Sequence, residues 1–91
     1  MDTEFYNQIE EKVRPYVKAL RDSGLNTTAS CEHEGYILAS SLNATVELAI
    51  IEGVMINHEV EEWEAKLEIE YCQGYYHSLW NIQSLSFKKQ I

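Results

Sequence analysis

Phe5, Ile9, Val13, Tyr16, Val17 and Leu20 recur at steps of three and four residues. That is the spacing of one apolar stripe on a helix, so the pattern predicts a helix over 3–22. Asp2 or Thr3 caps its start, Glu4 suits the positive end of the helix dipole and Arg21 the negative end. Ser23-Gly24 supplies the stop, because glycine readily takes the left-handed conformation after a last turn. Pro15 interrupts the stripe without changing its phase, which predicts a kink rather than a break.

Tyr36-Ile37-Leu38-Ala39 reads as a short buried strand, and Ser40 or Ser41 as the cap of a second helix at about 42–57. Its expected core face is Leu42, Val46, Ala49, Ile50, Gly53, Val54 and Asn57, although the β-branched residues there compete for a strand. Trp63, Ala65, Leu67, Ile69 and Tyr71 then alternate with Glu62, Glu64, Lys66, Glu68 and Glu70. Strict period two predicts a strand with one buried face. Gln73-Gly74 is a two-residue hairpin turn. Pairing Cys72 with Tyr75 sets Tyr71 opposite Tyr76, Leu67 opposite Trp80 and Ala65 opposite Ile82 on one side. Glu70 then faces His77 and Glu68 faces Leu79 on the other, and a one-residue slip would destroy this agreement. The predicted fold is α+β, a single domain over 1–91 in the order α-β-α-β-β. Two helices pack on the aromatic face of a small, mostly antiparallel sheet that ends in the hairpin.

Composition supports a packed core and narrows the setting. The chain has 91 residues, 45% of them hydrophobic, with ten aromatic side chains among them, too many for a disordered segment and too few residues for two cores. No apolar run is long enough to span a bilayer, and the acidic start Met1-Asp2-Thr3-Glu4 lacks the basic region of a secretory signal. The expected location is the cytoplasm, where Cys31 and Cys72 would be free thiols. Residues 32–70 hold ten acids against Lys66 alone, a balance of −9 within a net charge of −8. That field argues against duplex nucleic acid as a partner and favours basic partners or cations.

The candidate chemistry gathers between Gly24 and Gly35. Asn26, Thr27, Thr28 and Ser30 offer donors and acceptors for a small polar ligand, with Cys31 and His33 beside them. Arg14, Lys18 and Arg21 lie at i, i+4 and i+7 and would face phosphates if the segment folds back over the first helix; otherwise Arg14 pairs with Glu10 and Lys18 with Asp22. Cys31 and His33 also suggest a thiol–imidazole pair of an enzyme, with both side chains on one side of a strand. With Cys72 and His77 they suggest a tetrahedral zinc set. Acidic neighbours disfavour a thiolate, and the zinc spacings are unusual, so the reading adopted is a non-catalytic binding protein without cofactor. A different reading makes Glu61, Glu62, Glu64 and Glu68 the contact of an acidic inhibitor or decoy of a basic, nucleic-acid-binding protein. Tyr36, Tyr71, Tyr75, Tyr76 and Trp80 surround the hairpin and are expected to be core packing, while Tyr75, His77 and Leu79 share the opposite face. Free sheet edges and that face predict a homo-oligomer.

The stretch Gly24-Leu25-Asn26-Thr27-Thr28-Ala29-Ser30-Cys31-Glu32-His33 follows a helix ending Ala19-Leu20-Arg21-Asp22. It resembles small bacteriophage and prophage proteins with a G-hydrophobic-N-T-x-x-S-C-x-H signature. Glu32 stands where the commonest form has glycine. The resemblance implies a phage setting, and with it a counter-defence factor. Such a factor would either sequester a nucleotide ligand in the Thr/Ser/Cys/His segment or occupy a basic surface of a host protein.

Overall fold

The computed structural model describes residues 3–90. Helix α1 spans Thr3–Asn7 and α2 Arg14–Asp22; strand β1 is Asn26–Cys31 and β2 Tyr36–Ser40. Helix α3 is Ala44–Asn57, β3 is Glu64–Cys72, β4 is Tyr75–Gln83, and a single 3-10 turn covers Leu85–Phe87. The strands form one antiparallel sheet in the order β1-β2-β4-β3, so the fold is the α+β sandwich that the pattern predicts.

The expected 3–22 helix is two helices. Pro15 sits in the first turn of α2, where its missing N–H would have had no helical partner and its fixed φ favours starting a helix. The chain therefore breaks over residues 8–13, ahead of the proline, instead of kinking at it. The stripe survives because Val13, Val17 and Leu20 are all buried. Of the two expected N-caps, Asp2 lies outside the described residues and Thr3 is already the first residue of α1. The stop at Ser23-Gly24 forms as predicted: Gly24 N–H donates to Arg21 O and Leu25 N–H to Leu20 O, the paired bonds of a Schellman motif. Leu20 and Leu25, both buried, supply its apolar contact.

Asn26–Cys31 is a strand, not a loop, which gives the sheet a fourth member and an edge. It pairs with β2 from Asn26↔Ser40 to Cys31↔Tyr36, with an irregularity between Thr27 and Ala29 that leaves Thr28 as the extra residue. Thr27 is buried on the helix side. The run Asn-Thr-Thr-Ala-Ser-Cys has little apolar character because this edge strand buries only one residue deeply.

Helix α3 is capped by Asn43, whose side chain accepts from Val46 N–H, in place of Ser40 or Ser41. Its buried residues are Ile51, Val54 and Met55, whereas Leu42 is 100% and Val46 54% exposed. The expected core face is turned away from the sheet at most of its positions; Ile50 and Val54 mark its inner border. Helix α3 is apolar nearly all round, so spacing alone does not select which stripe is buried.

The hairpin register is the predicted one throughout, from Cys72↔Tyr75 to Ala65↔Ile82. Gln73 and Gly74 both adopt positive φ, 53° and 84°, the combination that a tight two-residue hairpin turn requires. The predicted burial of its aromatic face holds only at the base. Trp80 and Ile82 join Val17, Leu20, Ile37, Ala39, Ile51, Met55 and Phe87 in the core, while Ile69, Tyr71 and Tyr76 are exposed. Strand β2 reaches only Leu79–Gln83 of β4, and the helices cover no more than that. Phe87, fully buried and 4.9 Å from the Tyr16 ring, closes the far end of the core.

Candidate functional site

A cleft of about 270 Å³ opens between the N-terminal segment and the edge strand. Phe5, Gln8, Ile9 and Glu10 form one wall, Thr27, Thr28, Ala29 and Ser30 the other, and Val17 from α2 the floor. It exists because the chain breaks before Pro15. A continuous helix would carry residues 5–10 away from the sheet, whereas the break folds them against β1. The Thr28 bulge shapes the opposite wall, and the Thr28 hydroxyl reaches Leu38 O only at 3.5 Å, so its bonding capacity is largely unspent.

Arg21 lies just behind this cleft. Its Nη1 donates to Thr27 O at 2.7 Å and to Thr27 Oγ1 at 3.1 Å, and its guanidinium carbon lies 4.4 Å from the centre of the Phe5 ring. The buried Nε of Arg21 has no hydrogen-bond partner. One cation thus links both walls from behind, while Glu10 brings a carboxylate to the lining itself. Arg14 and Lys18 do not join it. Arg14 donates twice to Ile9 O in place of the expected pair with Glu10, and holds the break between the helices. Lys18 pairs with Asp22 at 2.6 Å, a contact that raises the Lys18 pKa above its ordinary value.

Residues 32–35 make up the other half of the Gly24–Gly35 segment, and they form a knot. Glu10 Oε1 accepts from Glu32 N–H at 2.9 Å, while the buried Glu32 carboxylate accepts from Lys12 N–H at 3.0 Å. The turn and the helix break are thereby clasped by reciprocal carboxylate–amide bonds. Lys89 N–H donates to Glu32 O and Ser84 N–H to Gly35 O, which ties in the C-terminal segment. Gly35 has φ 77°, and a Cβ there would lie 2.9 Å from Ser84 O, so both backbone angle and space require glycine. Sequence reasoning did not single out Glu32 as a structural residue; a buried carboxylate bonded to backbone amides leaves no periodic trace.

His33 Nε2 lies 3.3 Å from Glu10 Oε2. Glu10, Glu32 and His33 are the only group of three or more such side chains among the described residues whose ligand atoms lie within 4.8 Å of one another. Their carboxylates are already engaged by backbone amides. The wider set of Cys31, His33, Cys72 and His77 cannot share an ion. Cys31 lies in the row Tyr36–Gln83–Glu64, and Cys72 is eight residues further along β3, about 26 Å at a strand's rise. A metal–thiolate bond is roughly a tenth of that length. The shared strand face expected for a thiol–imidazole pair is absent, because β1 ends at Cys31 and His33 belongs to the turn. Asn26 sits outside the cleft, with its amide 3.4 Å from Ser40 Oγ.

The acidic candidates are spread along the surface. Glu61, Glu62, Glu64 and Glu68 are exposed; Glu64 meets Lys66 at 3.4 Å and Glu68 accepts from Asn81 at 3.3 Å. On the face of the sheet away from the helices, a shallow basin of about 480 Å³ is lined by Tyr36, Leu38 and Leu79, with Glu34, Glu68 and Glu70 among its borders. No helix of the described residues is long and apolar enough to cross a membrane. Searches of protein-family models, curated proteins and solved structures find no match to this chain.

Proposed function

We propose that this chain is a non-catalytic binding protein whose cleft between residues 5–10 and β1 takes one small polar ligand with an anionic group, such as a mononucleotide. The observation that carries the reading is the cleft itself. It contains Thr27, Thr28 and Ser30 on one wall and is backed by Arg21 through Thr27 and Phe5. Its volume lies just under the roughly 300–1,000 Å³ of drug-sized sites, which fits a single small molecule and excludes an oligonucleotide. The resemblance to phage proteins supports a role in the host cytoplasm, as a counter-defence factor that sequesters a nucleotide and works as a self-associated assembly. Thermal unfolding with a panel of mononucleotides tests the cleft. A ligand at a hundredfold excess over its dissociation constant stabilises by about 2.7 kcal/mol, and Thr28→Ala with Ser30→Ala should abolish that shift while leaving the ligand-free transition in place. A shift retained in both variants rules the cleft out.

The basin on the open sheet face favours a second reading, contact with a basic protein surface. An apolar centre bordered by carboxylates suits a partner with apolar and cationic side chains. Glu68→Lys with Glu70→Lys should weaken such a complex and flatten its salt dependence. Unchanged binding to the host partner would count against it.

A further inference from the structure

Beyond Leu79 the hairpin leaves β2 behind, and residues 69–78 continue as a two-stranded arm. On its helix side Leu67, Ile69, Tyr71 and Tyr76 are 47%, 73%, 64% and 77% exposed. The Tyr71 and Tyr76 rings lie 5.0 Å apart and cover each other only in part. Where the chain turns onto α3, Ser41 N–H donates to Ser78 O, which ties the start of that turn to the base of the arm. We propose that this face is where a second copy of the chain docks, the two arms stacking helix side to helix side about a twofold axis.

Three observations lead to that occupant. The first is the pattern. Strict alternation puts apolar side chains on one face of the arm and Glu68, Glu70 and His77 on the other, yet a single chain covers the apolar face only at its base. Isolated two-stranded hairpins are marginal in water, so the arm gains most from a cover that continues the sheet's own core. The second is area. The chain exposes 6147 Å², whereas a compact monomer of its mass exposes roughly 5,500 Å². The excess, about 650 Å², is of the same order as the roughly 800 Å² that each partner contributes to a standard interface. The third is charge. Two chains of net charge −8 repel wherever their carboxylates meet, and this face presents none among Leu67, Ile69, Tyr71, Tyr76 and Ser78. A basic partner would be drawn to the carboxylates of the opposite face; a second copy needs a face without them. The assignment deepens the self-association in the functional reading and is independent of ligand binding in the cleft.

Sedimentation velocity over a range of micromolar concentrations tests it. The wild type should sediment at twice the 10.6 kDa of one chain. Ile69→Lys and Tyr76→Lys should raise the dissociation constant by roughly tenfold or more. Tyr75→Lys, on the reverse face of the same arm, should leave it unchanged. All three positions are exposed, and circular dichroism of each variant confirms that it folds. A wild type that stays a single chain at every concentration overturns the dimer and the self-association reading together. Doubled mass that persists in both Ile69→Lys and Tyr76→Lys overturns the arm alone, as does dissociation by Tyr75→Lys. A closed assembly larger than two copies overturns the twofold pairing.

Discussion

Glu47 shows how one side chain joins local structure to packing. Its carboxylate accepts from Ser41 Oγ and from the N–H groups of Leu42 and Asn43, and it also receives the Trp80 indole N–H at 3.0 Å. It thus fixes the entry to α3 and anchors the one indole of the core. Burial alone pushes this carboxyl up, but the four hydrogen bonds outweigh it and bring the pKa down from 4.5 to about 2. A depressed folded-state pKa gives stability that is present above the unfolded value and lost as pH falls through the folded one. The wild type should therefore lose stability between about pH 4.5 and 2 through this group. Glu47→Ala should cost about 2–3 kcal/mol at neutral pH, since it orphans the indole and two amides, and should flatten that acid limb. Urea titrations across the pH range read both. An unaltered acid limb would assign the loss to other carboxylates.

At the scale of elements, how much could be read from the sequence followed from how much each element depends on itself. The hairpin register was legible because alternation on two strands and a two-residue turn must agree, and only one pairing satisfies all three. The end of α2 was legible for a similar reason: Gly24 follows the last turn and Leu25 returns to Leu20. The break before Pro15 was not, because the apolar stripe keeps its phase whether residues 8–13 are helical or not. Nor was β1, whose Thr-Thr-Ala-Ser run lacks alternation because its helix side is only partly covered. The face of α3 was illegible since apolar residues surround the helix. Gly53 now has a clear status there. It is exposed in mid-helix, with nothing within 4 Å of a Cβ placed on it, and nothing within the chain requires glycine. Gly53→Ala should stabilise the protein by about 0.5–1 kcal/mol, read as a higher denaturant midpoint with unchanged slope. Destabilisation would mean that another surface approaches this point closely.

In the whole molecule, three surfaces differ in chemistry. The cleft beside β1 mixes hydroxyls with apolar side chains and is backed by a cation, the open sheet face is acidic around an apolar centre, and the helix side of the arm is apolar and uncharged. The second was partly visible from sequence, in Glu68, Glu70, His77 and Leu79 sharing one face, and so was the first. Thr27, Thr28 and Ser30 stood out as hydroxyls between two glycines, but their opposite wall, residues 5–10, reaches them only through the helix break and the Glu10–Glu32 clasp. The Cys31 and His33 pair, the most conspicuous chemistry in the segment, turns out to be split between a strand end and a structural turn. In the proposed reading, the hydroxyl half of the segment binds and the Cys/His half holds the fold. Amide chemical shifts of the labelled protein titrated with mononucleotides test it most directly. Shifts concentrated at residues 5–10 and 27–30 are expected. Shifts centred on Leu38 and Leu79, or none with any nucleotide, would contradict it.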